Sequence, residues 1–149
     1  MPDIQSGLKK GVRHMLGEKI GELQGKATNK ALQAVNGAPR FETTAETSGT
    51  LAGVAVRGYA TYQSDLQADG TLLGECPDSG VLMTQQGEVA TFRANGSGRF
   101  TESGGVDFRG AAYFRTSGSQ LAKLNGVCVI WHWDVDAEGN AKWDLWEWL

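Results

Sequence analysis

Two carboxylates and one imidazole are the residues whose neighbours suggest acid–base chemistry. Glu147 sits in the run Trp143-Asp144-Leu145-Trp146-Glu147-Trp148. Strand parity puts it on one face with Trp143 and Leu145. A lone carboxylate among Trp, Leu and Val has its pKa raised by desolvation, as a general acid or base requires. The competing reading leaves Glu147 at an open end, wet and idle. Glu75 is the second candidate, because the parity of Leu66 and Leu73 turns it toward the same interior. His132 falls opposite Asp144 if the last segment folds back on itself. A His–Asp pair can serve as a catalytic base and its orienter. No nucleophile accompanies this one, and its face is polar, so a surface cross-strand pair is the stronger reading.

Other chemistry is not signalled. Cys76 and Cys128 match no metal or redox spacing and read as buried free thiols rather than a disulfide. Gly96-Ser97-Gly98 and Gly104-Gly105 precede no helix N-terminus, so they form no phosphate loop. Asp134, Asp136, Glu138 and Asn140 lack the spacing of a calcium loop. No metal and no cofactor is expected.

Charge narrows the partners. The chain carries a net −3, yet residues 1–40 hold seven Lys/Arg against three acids. That segment lacks the interleaved aromatics of a single-strand-binding surface and reads as a solvated arm, so nucleic acid is not expected. No run of about eighteen apolar residues occurs, so no membrane helix is expected. Leu8, Val12, Met15 and Leu16 are interrupted by Lys9, Lys10, Arg13 and His14, which argues against a signal peptide and for a cytoplasmic protein.

The elements that must position these residues are strands. All five tryptophans lie in the last nineteen residues, in two alternating runs around the polar loop 136–140. Alternation has the period of a strand. The same pattern recurs over 40–51, 54–67, 71–76, 81–84, 89–100 and 106–116, and 19–35 reads as a long bent first strand. Asn36-Gly37, Asp69-Gly70, Gln85-Gln86-Gly87 and Glu102-Ser103-Gly104 separate them with turn chemistry. Residues 121–124 look like one helical turn closed by Asn125-Gly126. A chain of 149 residues with 21 Gly and 3 Pro fits one domain of curved strands and tight turns. The expected fold is all-β: an antiparallel up-and-down meander of about eight strands closed into a barrel over 17–149. A short helical or irregular arm spans 1–16.

Two hairpins can be registered by parity. One sets Phe100 opposite Val106, Gly98 opposite Phe108, Gly96 opposite Gly110, Ala94 opposite Ala112 and Phe92 opposite Phe114. Every residue on that face is apolar or Gly. The other sets Trp133 opposite Trp143 and Trp131 opposite Leu145, with Val127, Val129 and Glu147 completing the face. The middle of the first face is narrow, so the tryptophans either fill the interior to ordinary density or leave an aromatic-lined pocket. The leading expectation is a small apolar ligand held against Trp131, Trp133, Trp143, Phe92, Phe108 and Phe114, with Glu147 as polar anchor. The alternatives are an isomerase- or cyclase-type enzyme using Glu147 or Glu75, and a structural barrel with a filled core. Ile130, Trp146, Cys128 and Trp148 form an outward apolar patch, for which the N-terminal segment or a second subunit is the expected cover; the latter makes a homo-oligomer.

The stretches Gly49-Thr50-Leu51-Ala52-Gly53-Val54, Asp69-Gly70-Thr71-Leu72-Leu73-Gly74-Glu75, Gly80-Val81-Leu82-Met83-Thr84, Val106-Asp107-Phe108-Arg109-Gly110-Ala111, Leu121-Ala122-Lys123-Leu124-Asn125-Gly126-Val127 and Leu145-Trp146-Glu147-Trp148 resemble a family of small uncharacterised bacterial proteins with no assigned activity. The likeness runs from about residue 17 to the end. Its architecture is similar to the eight-stranded barrels of the allene oxide cyclase and dirigent kind, themselves similar to lipocalins. The resemblance implies an oligomeric, calycin-like barrel. No functional residue of those enzymes matches a position here, so none is carried over.

Overall fold

A computed structural model describes residues 16–149. The arm expected over 1–16, with His14, lies outside the described residues except at Leu16, which already belongs to the first strand. The strands are β1 (Leu16–Val35), β2 (Ala38–Leu51), β3 (Val54–Leu66), β4 (Thr71–Thr84), β5 (Val89–Phe100), β6 (Val106–Thr116), β7 (Val129–Val135) and β8 (Asn140–Trp148). Each pairs antiparallel with the next, and β1 pairs with β8 to close the barrel. No α-helix occurs among the described residues; a single 3₁₀ turn, Ala122–Leu124, lies between β6 and β7. No helix among them is long and apolar enough to cross a membrane.

Turn chemistry sets the register. Gly70, Gly87, Gly104 and Gly139 all adopt φ between 86° and 91°. Each donates its N–H to the carbonyl three residues back, of Gln67, Thr84, Thr101 and Asp136. This is the three-residue hairpin in which a type I turn ends in a left-handed residue. Asn36-Gly37 instead forms a two-residue turn with both φ positive, at 50° and 79°.

The registers expected for the two aromatic hairpins are the observed ones. Phe92 pairs with Phe114, Gly96 with Gly110 and Gly98 with Phe108. Trp133 pairs with Trp143 and Trp131 with Leu145. Strand β1 starts a few residues earlier than expected and is bulged near Lys19 and Gly21. Residues 71–76 and 81–84 form a single strand rather than two. Pro77–Ser79 bulges out of it, so that Cys76 pairs with Ala94 but Gly80 with Phe92. Pro77, which has no N–H to give a ladder, sits at that bulge.

The interior is filled by one parity of every strand: Leu23, Leu51, Val56, Leu72, Leu82, Ala90, Phe92, Phe108, Phe114, Val129, Trp131, Trp133, Trp143 and Leu145 are all buried. Leu121 and Leu124 of the β6–β7 connection tuck under the core beside them. Asn125 makes that connection possible. Its side-chain amide donates to the Thr116 carbonyl and accepts from the Thr116 N–H, both at 3.0 Å, and so stands in for a missing strand neighbour.

Candidate functional site: the aromatic interior

The rings of the interior lie where glycines have removed side chains. A Cβ at Gly80 would come within 2.2 Å of the Phe92 ring, and one at Gly98 within 2.5 Å of Phe108. At Gly96 or Gly110 it would meet the benzo edge of Trp131 at 2.7 Å. The direction is the same each time. Trp131 of β7 leans across β6 to β5, Phe108 of β6 across β5 to β4, and Phe92 of β5 onto β4. The narrow wall seen in the sequence is therefore the seat of the aromatic side chains.

Those rings pack edge-on and tilted. Phe92 lies 5.2 Å from Trp143 between centroids, and Trp133 stands at 89° to Trp143. Tyr62 meets Phe108 at 6.0 Å and Trp133 at 6.2 Å, both T-shaped. These are the geometries in which ring quadrupoles attract. Filling is incomplete. A cavity of about 70 Å³ remains, walled by Trp131, Trp133, Trp143, Phe92, Phe108 and Tyr62 on its aromatic side. Small residues, among them Ala45, Gly58, Ala60, Gly74 and Ala94, complete it.

Few polar atoms reach this space. The Trp133 Nε1–H donates to the Tyr62 hydroxyl at 3.0 Å. Burial pushes the Tyr62 phenol above its ordinary pKa, which keeps it protonated. The Cys76 thiol lies 3.4 Å from the Ser79 hydroxyl and is also pushed up by burial, so it is a poor nucleophile. The Trp131 Nε1–H is buried with no acceptor among the described residues. Sequence reasoning passed over Tyr62 as a site residue, although it shared the inward parity of Val54, Val56 and Leu66.

The expected site residues divide. Trp131, Trp133, Trp143, Phe92 and Phe108 line the cavity. Phe114 is buried behind them, 5.2 Å from Phe92, and does not line it. Glu147 is half-buried opposite Val129, near the end of β8, and is not among the lining residues. Glu75 corrects the expectation: Leu72 and Cys76 are buried, whereas Leu73 and Glu75 are exposed on the outer parity. Glu75 is nonetheless one of the residues that line the cavity, with its neighbours Gly74 and Cys76. Both cysteines are free, Cys76 buried and Cys128 half-buried.

His132 is a second correction. It is the registered neighbour of Asp144, but its Nε2 contacts Asp107 of β6 at 2.8 Å and Asp134 at 3.3 Å. Asp144 is instead taken by Lys19 of β1 at 2.7 Å. Registering one hairpin alone could not show strands arriving from either side. Ligating atoms of Asp107, His132 and Asp134 lie within 4.8 Å of one another on the outer face. The donor set resembles a cation site, but the contacts drawn are an imidazole already shared by two carboxylates.

The fold and the site together define a closed, eight-stranded, up-and-down barrel with an aromatic interior. Two solved barrels share that architecture. A conserved protein of unknown function from Rhodopseudomonas palustris superposes with TM-score 0.75 at 11% identity, over 90% of this chain and 98% of its own. A protein of unknown function from Clostridium acetobutylicum gives TM-score 0.71 at 10% identity, over 89% and 98%. At such identities the likeness is one of fold. No protein-family model and no curated protein matches the chain.

Proposed function

We propose that this protein is a calycin-like binding barrel for a small, largely apolar ligand that seats among Trp131, Trp133, Trp143, Phe92 and Phe108. The observation that carries this reading is the residual cavity of about 70 Å³ within an otherwise packed aromatic core. Its size limits the ligand. An apolar cavity of about 150 Å³ takes benzene, and one water needs only about 10–15 Å³. A guest of about four heavy atoms fits the space left among the rings. Affinity comes from removing apolar surface from water, at about 25 cal/mol per Å².

Xenon is the direct test, being apolar and small. Xenon-induced shifts of the cavity methyl and aromatic NMR signals, saturating with pressure, are the expected result. Their absence would sink the reading. Catalysis by Glu147 or Glu75 has less behind it, since Glu147 does not line the cavity and Glu75 lies on the exposed parity of β4. Glu147→Gln is expected to leave xenon binding unchanged.

A second reading rests on the outer face. Trp148 and Leu149 are 51% and 69% exposed, beside half-buried Ile130 and Trp146. We propose that Ile130, Trp146 and Trp148 form a homo-oligomer interface, because a contiguous apolar patch is costly to leave wet. Light scattering over a concentration series should show a self-associating species that Trp148→Glu dissociates. A wild-type monomer at every concentration would exclude it.

A further inference from the structure

We infer that the cavity recognises a small neutral carbonyl compound, whose oxygen accepts a hydrogen bond from the indole N–H of Trp131. The inference rests on the binding reading above and specifies the chemistry of the guest.

Two tryptophans, two residues apart on one face of β7, are treated differently. Trp133 has its N–H satisfied by Tyr62 at 3.0 Å. Trp131 is 7% exposed, walls the same cavity, and has an N–H with no acceptor among the described residues. Buried donors are almost always satisfied, and an exception calls for a specific reason. A packing constraint accounts for the position of the ring. Its benzo edge is laid on Gly96 and Gly110, which have no room for a Cβ beneath it. The ring is thus fixed by its fit to the wall and cannot turn to find an acceptor elsewhere. A guest that supplies one completes the site.

The remaining polar atoms narrow the class. Among the lining residues the only carboxylic acid is Glu75, whose parity is outward, and no Lys, Arg or His is present; Thr47, Tyr59, Tyr62 and Asn95 are the neutral polar members. A carboxylate or phosphate would enter without a counter-charge, and an ammonium without a carboxylate. A pure hydrocarbon would fill the space but leave the indole N–H unpaired. The guest that satisfies both demands is apolar over most of its surface and carries one acceptor, with no charge. The Cys76 thiol, held protonated by burial, adds a soft wall and no competing charge.

An isosteric pair tests this: acetone and 2-methylpropene have the same Y shape and differ in oxygen against methylene. Titrated into the full-length protein with ¹⁵N-labelled indoles, acetone is expected to move the Trp131 Nε1–H proton downfield at saturation. 2-Methylpropene is expected to perturb neighbouring rings without that shift. In Trp131→Phe the acetone-to-methylpropene affinity ratio should fall about tenfold, the scale of one buried hydrogen bond. The wild-type indole signal carries the test even if the variant does not fold. Xenon and 2-methylpropene binding with the Trp131 proton unmoved by acetone would overturn the inference and leave the binding reading standing. A long-lived water on that N–H that acetone cannot displace would also overturn it. Failure of all three guests would remove the binding reading as well.

Discussion

The β7–β8 wall of the barrel and the β4–β6 wall beside it are built differently. The first contributes Trp131, Trp133 and Trp143 to the interior. The second contributes Gly74, Gly80, Gly96, Gly98 and Gly110 on the same inward side, with only the smaller rings of Phe92, Phe108 and Phe114 among them. Neither wall would pack against a copy of itself: tryptophans facing tryptophans would overfill a small barrel, and glycines facing glycines would leave it void. The comparison teaches that the glycines here act as receptors for rings rather than as flexible links. Where ring and receptor match, the core is dense; where they miss, the cavity remains.

The largest break in that comparison is a side chain placed in the receptor wall. A Cβ at Gly110 would lie 2.0 Å from the Asn95 carbonyl oxygen and 2.7 Å from Trp131. Backbone cannot yield as a side-chain tip can, so Gly110→Ala is expected to cost about 4 kcal/mol or more, seen as a collapsed urea midpoint. Removing a ring from the other wall comes next. Trp143→Ala should cost about 3–5 kcal/mol and enlarge the cavity enough to admit benzene, which calorimetry would detect. Smaller again is Tyr62→Phe, which orphans the Trp133 N–H and makes it resemble Trp131. A loss of about 1–3 kcal/mol is expected. That variant also has a pH signature. Because the folded-state pKa of Tyr62 is raised, its share of stability is intact below the ordinary phenol pKa and lost as pH rises from there through the higher folded value. Tyr62→Phe should therefore flatten the alkaline limb of a stability–pH curve.

The smallest effect sharpens the contrast at the turns. Asp136 accepts hydrogen bonds from the side-chain amide and the N–H of Asn140 and from the N–H of Glu138, which lower its pKa, and Asp69 is lowered likewise by the hydroxyl and N–H of Thr71. A depressed carboxylate stabilises the fold above its unfolded-state pKa and loses that contribution as pH falls through the folded value. Asp136→Asn should lower neutral stability slightly, by the share the carboxylate supplies, and remove that share from the loss on acidification. An unaltered acid limb would show that the carboxylate contributes nothing to the turn.

Much of the fold was legible because strand parity is unforgiving. From Ala90 to Phe114 a single register separated apolar from polar residues, and any slip would have buried Arg93, Arg99 or Arg109. Glu75 shows how the same rule misleads. Reading Asp69-Gly70 as a two-residue turn sets Leu66 against Leu73. The observed three-residue turn sets Leu66 against Leu72, and one residue of slip turns Glu75 from the interior to the solvent. Asp69-Gly70 is compatible with either turn; the choice follows from which register buries Leu72 and Cys76. His132 is the other case. Its local partner was read correctly as a register neighbour, but Asp107 competes from β6 and Lys19 draws Asp144 away from β1.

By itself the sequence determined most strands, most turns and, apart from Phe100 at the exposed end of β5, the inward residues of β5 to β8, because these follow from local backbone preference and a two-residue period. The tertiary structure alone decided which rings lie on which glycines, how much space is left, and which indole lacks a partner. Those outcomes depend on the curvature of a closed sheet and on distances between strands far apart in the chain, and no local pattern encodes either.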